Sequence, residues 1–118
     1  MCESICNRWV SILVQKQLEK DTERDLLEHR WLELTRITLP GMARKCAWPI
    51  FRDHCFQRVL LDAACGACWY DRISGRPAYK AASGVILERA VSLGERIISE
   101  PAYLPMLNRQ SLQYRCKI

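Results

Sequence analysis

The chain has 118 residues, a mass of 13.7 kDa and a formal charge of +5, with 49% apolar and 26% charged residues. These values fit one folded domain and exclude both a disordered chain and two independent hydrophobic cores. No apolar run approaches the roughly 18 residues of a membrane span, and Met1-Cys2-Glu3 does not begin a secretion signal, so a cytoplasmic protein without membrane contact is expected.

Ile5, Trp9, Ile12 and Leu13 recur at helical spacing, widened by Val10, Val14 and Leu18, and predict a first helix. Thr22 with Asp25 makes a start resembling a capping box. Leu27, Trp31 and Leu34 then mark a second helical face that is expected to stop at Leu39-Pro40-Gly41. The stretch Cys46 to Asp53 should be a short extended or turn segment, because Pro49 disfavours helical geometry in the residue before it. Asp53 is a suitable N-cap for a third helix carrying Phe56, Val59, Leu60, Ala63 and Ala67 as one stripe. From Trp69 to Lys80 there is no period, and the segment reads as a basic, aromatic loop. Ser83 can cap a fourth helix, with Ile86, Ala90, Leu93 and Ile97 on one line and Leu87, Val91 and Ile98 beside it. A last short helix is predicted from about Pro105 to Arg115, with Leu104, Leu107 and Leu112 inward. The fold expected is all-α, a small bundle of four to five helices.

Charge divides the chain where Pro40-Gly41 punctuates it. Residues 1 to 41 hold six Lys/Arg against seven Asp/Glu, and residues 42 to 118 hold twelve against six. This predicts a helical N-terminal arm at 1–41 and a compact basic helical domain at 42–118. The arm's apolar stripe must be buried on that domain or on another copy, which makes residues 1–41 a candidate homodimer contact. The basic excess points to an anionic partner, nucleic acid or an acidic protein.

Seven cysteines without a secretion signal suggest reduced thiols. Cys65-Gly66-Ala67-Cys68 is a single CxxC, and a structural zinc site would need further ligands such as Cys46, His54 or Cys55; no metal is assigned, with Cys65 and Cys68 as the candidate ligands. On the third helix His54, Arg58 and Asp62 are spaced four apart and form a polar column flanking the apolar stripe. Near the positive helix end His54 favours its neutral form and Cys55 its thiolate, so His54, Cys55 and Asp62 are the candidate catalytic groups. Arg58 is expected to pair with Asp62 and to bridge it to His54. Trp69, Tyr70, Arg72, Arg76, Tyr79 and Lys80 offer stacking surfaces beside cations, the combination used for single-stranded nucleic acid. Asn108, Arg109, Ser111 and Arg115 make the C-terminal segment rich in hydrogen-bonding groups.

Trp48-Pro49-Ile50, His54-Cys55-Phe56-Gln57-Arg58, Asp62, Trp69-Tyr70-Asp71, Arg76-Pro77-Ala78-Tyr79, Leu107-Asn108-Arg109-Gln110-Ser111-Leu112 and Arg115 together resemble a group of short bacterial proteins, some of which carry an acetyltransferase label. The resemblance spans about 42–117. The Arg/Gln-x-x-Gly-x-Gly/Ala turn that holds a coenzyme A pyrophosphate does not occur in this chain. Two functions are expected from the residues: a small helical module that binds an anionic partner through a basic, aromatic surface, or a small enzyme or metal/thiol protein centred on His54, Cys55, Asp62 and the Cys65-Cys68 pair.

Overall fold

The structure, a computed structural model, describes residues 22–116; the helix expected around Ile5 to Leu18 lies outside the described residues. Helix α1 (22–33) passes through a π-helical segment, Leu34–Thr38, into α2 (Leu39–Cys46). Then come α3 (Asp53–Cys65), a 3-10 turn at Trp69–Asp71, a short α4 (Ala78–Ala81), α5 (Gly84–Ser99) and α6 (Tyr103–Tyr114). The described residues contain no strand, and the fold is all-α.

The helix does not stop at Leu39-Pro40-Gly41 as expected. The buried residues Trp31, Leu34, Leu39 and Ala43 explain why, because the step from Leu34 to Leu39 is five residues. In an α-helix five residues overshoot a full turn by about 140°, which would set Leu39 well round from Leu34, though only about 40° beyond the equally buried Thr35. The π turn, bonded i to i+5, absorbs the surplus residue and keeps both halves of the rod facing inward. Pro40 then sits at the second position of α2, where a missing N–H is tolerated.

Trp31, Leu34 and Leu39 lie in one core with Phe56 and Leu60 of α3, Leu87 and Ile97 of α5, and Leu104 and Leu107 of α6. Full burial of each such side chain contributes about 1.5–3 kcal/mol. The charge boundary at 41/42 is therefore no boundary of the core. Gly94 makes the closest approach possible: a Cβ there would stand 3.0 Å from Leu34 Cδ1 and 3.5 Å from Leu60 Cδ1.

Polar contacts orient α1 from outside. Arg24 donates to the carbonyl oxygens of Tyr79 and Ala82, each at 2.9 Å, and to Glu28 at 2.8 Å. It thereby collects the acceptors that the end of α4 leaves unsatisfied. Arg30 grips Glu95 of α5 with two nitrogens and Glu33 with the third. These arginines hold the Glu28 and Glu95 carboxyls below their usual range by direct hydrogen bonding.

Other expectations shift by a residue or two. Asp53 is the first residue of α3 and not its cap; its Oδ1 accepts the His54 N–H at 2.8 Å while Arg52 takes the extended cap conformation. Gly66 closes α3 in the left-handed conformation, φ 69°, which glycine adopts without a Cβ penalty. Ser83 caps α5 as expected, its Oγ accepting from the Ile86 N–H at 3.2 Å. The stretch from Trp69 to Lys80 contains a 3-10 turn and α4, elements too short to show a period.

Candidate functional site

Asp62 is the centre of the most organised polar contact in the molecule. It lies on α3 one turn before the helix ends, wholly buried. Four hydrogen bonds reach its two oxygens. Ser111 Oγ donates to Oδ2 at 2.6 Å and Arg115 Nε at 2.8 Å, while Arg115 Nη2 and the backbone N–H of Trp69 donate to Oδ1 at 3.0 and 2.9 Å. A carboxylate buried this deeply is stable only when its lone pairs are taken by a bidentate guanidinium and further donors, as here. The pairing raises Arg115 above its already high value, chiefly through its hydrogen bonds to Asp62.

One turn earlier Arg58 Nη2 donates to Asn108 Oδ1 at 2.6 Å. Residues 58 and 62 thus meet 108 and 111/115 in ascending order, so α3 and α6 run in the same direction with polar groups along their seam. The expected column is corrected at this point. Arg58 turns to Asn108 and Asp62 to Arg115, so Arg58 bridges nothing to His54. His54 is exposed (69%), with Nδ1 3.6 Å from Asp53. Its neighbour Cys55 is half-buried. His54, Cys55 and Asp62 are not brought together, and Asp62 has no free acceptor position to offer a substrate.

The aromatic residues divide between two faces. Trp69 and Tyr70 stand edge to face, ring centres 5.7 Å apart at 76°. Arg115 lies over the Tyr70 ring at 5.1 Å and Arg76 over the Trp69 ring at 5.6 Å. The result is a ledge in which two adjoining rings are flanked by cations, Tyr70 being 53% exposed and Arg76 on the surface. Cys68 supports it from beneath: buried, its Sγ donates to the Tyr114 carbonyl at 3.7 Å. Its nearness is the chief cause pushing the Tyr70 phenol upward. Tyr79 and Lys80 belong elsewhere, against α1, where Lys80 reaches Glu28 at 3.3 Å. Arg72 is exposed, and so is Arg109 on the outer side of α6.

Cys46, Cys55, Cys65, Cys68 and Cys116 are free thiols. Burial, with Asp62 adding to it, pushes the Cys65 thiol up, the opposite of what a nucleophilic or metal-binding sulfur needs. Among the described residues no group of three His, Cys, Asp or Glu side chains gathers to hold a metal, so the Cys65–Cys68 pair finds no further ligand there.

Residue spacing gave Asp62, Ser111 and Arg115 but not their union. The legible signal was Ser111 and Arg115, four apart on the inward line of α6. Nothing in the sequence pointed to the Trp69 N–H, nor to Arg24 and Glu28. No protein-family model, no curated protein and no solved structure matches this chain.

Proposed function

We propose that the protein binds single-stranded nucleic acid on the ledge of Trp69, Tyr70, Arg76 and Arg115. The observation that carries this reading is a pair of adjoining rings flanked by two guanidinium groups, one of them anchored by a buried carboxylate. Bases stack on exposed rings whatever their sequence, and guanidinium groups beside the rings neutralise phosphates. Asp62 holds Arg115 with two of its nitrogens, so the cation is presented in a fixed position and little side-chain freedom is lost on binding. Arg72 adds exposed charge close by, and Arg58 with Asn108 continues the polar seam along α3. Tyr79 and Lys80 are left out because they face α1.

The test is fluorescence anisotropy with a labelled single-stranded oligonucleotide over a salt series. Affinity should fall steadily as salt rises, and the double variant Trp69→Ala/Arg76→Ala should bind at least tenfold more weakly, since stacking contributes about 1–3 kcal/mol per base. No binding at low ionic strength, or binding indifferent to salt, would remove the proposal. Binding of an acidic polypeptide that is unaffected by Trp69→Ala would favour the acidic-protein partner.

A further inference from the structure

The outer face of α5 carries a charge pattern that inverts its signs when read in the opposite direction. Val85, Glu88, Arg89, Ser92, Glu95 and Arg96 are all exposed and fall at intervals of three and four, forming one solvent stripe along a helix of 16 residues. About Ser92 the stripe is symmetric with its signs exchanged. Glu88 lies four residues before it and Arg96 four after; Arg89 lies three before and Glu95 three after. Beside the stripe runs a groove of about 630 Å3 whose apolar part is Ala63, Ala64, Val85 and Leu93.

We infer that α5 is the self-association face of the protein, pairing antiparallel with α5 of a second copy about a two-fold axis at Ser92. A two-fold interface must be self-complementary, residue i meeting j while j meets i. Here Glu88 faces Arg96 of the partner subunit and Arg89 faces Glu95 of the partner subunit, each twice. Moving the axis half a residue towards Val91 sets Glu88 against Glu95 of the partner subunit. Moving it half a residue towards Leu93 sets Arg89 against Arg96 of the partner subunit. Both neighbouring registers thus juxtapose like charges, and the pattern selects one. Ser92 on the axis is small enough for the helices to approach closely, and the groove floored by Ala63 and Ala64 receives the partner's apolar side chains.

The groups are available for it. Among the described residues Glu88 and Arg89 make no ion pair. Glu95, gripped by Arg30, is still 46% exposed, and Arg96, near Glu100, is 52% exposed. This face is distinct from the ledge, and it does not depend on the nature of the ligand.

Sedimentation equilibrium of the full chain over a concentration series should give a mass rising towards twice 13.7 kDa. The variant Glu88→Lys/Arg89→Glu, and separately Glu95→Lys/Arg96→Glu, should each be folded by circular dichroism and monomeric. Mixed in equal amounts they should form a heterodimer, because all four opposite-charge contacts are restored. Ser92→Cys gives a second reading that leaves the charges alone: mild oxidation should yield a dimer linked through position 92, located by peptide mapping and absent from the parent chain. A mass that stays at the monomer value, a dimer that survives Glu88→Lys/Arg89→Glu, or failure of the position-92 cross-link would each overturn the inference.

Discussion

Asp62–Arg115 and Glu95–Arg30 are both arginine–carboxylate pairs, each gripped through two guanidinium nitrogens, and they sit in opposite surroundings. Asp62 is fully buried and takes two further hydrogen bonds, from Ser111 and the Trp69 backbone. Glu95 is 46% exposed and shares its arginine with Glu33. Inside the protein the unpaired carboxylate would be the costly species, so the buried pair cannot be half-dismantled cheaply. At the surface water replaces a lost partner, so the exposed pair orients α1 on α5 without holding it there. What holds α1 is Trp31 and Leu34.

The largest expected effect tests that last statement. A chain starting at Met42 loses Trp31, Leu34 and Leu39 from the core and should give no cooperative melt by circular dichroism, whereas Arg30→Ala in the full chain should fold normally. A cooperative melt from the truncated chain would mean that the core closes without α1.

Next comes the buried pair itself. Asp62→Ala should cost about 3 kcal/mol, near the lower end for breaking a buried pair because Arg115 keeps some access to water. Ser111→Ala, removing one hydrogen bond, should cost about 1 kcal/mol. Chemical denaturation measures both, and equal costs would show that the guanidinium contributes little. Glu95→Gln should cost under about 1 kcal/mol, a difference that shrinks in high salt, while that for Asp62→Ala does not.

The smallest effect is on pH dependence. Glu28 and Glu95 are held below their unfolded values by Arg24 and Arg30, so their contribution is complete above about pH 5 and is lost as pH falls through the depressed folded values. Arg24→Ala and Arg30→Ala together should flatten the acid limb of a stability–pH curve, and an unchanged limb would assign it to other carboxylates.

Much of the fold was legible because apolar spacing reports burial directly. The stripe of Phe56, Val59 and Leu60, the Ser83 cap and the amphipathic α5 all stand where the residues put them. The passage through Pro40 was not legible, since a five-residue step resembles a broken period and proline resembles a stop. At the site the residue types were legible and their partners were not. Spacing of four along one helix suggested Arg58 with Asp62, but each found a better partner on α6, and contacts between helices leave no mark in the spacing along either one. Residues such as Arg24, which acts on backbone carbonyls more than fifty positions away, carry no local signal of that distant contact.

The π segment also explains a feature that otherwise invites a ligand. A wider turn has more circumference than the core can cover, and the residues it spills outward are Arg36 and Ile37, the latter 69% exposed. The shallow depression bounded by His29, Leu32, Arg36 and Ile37 lies along that stretch. An isoleucine set outward here accompanies the turn that keeps Leu34 and Leu39 in phase.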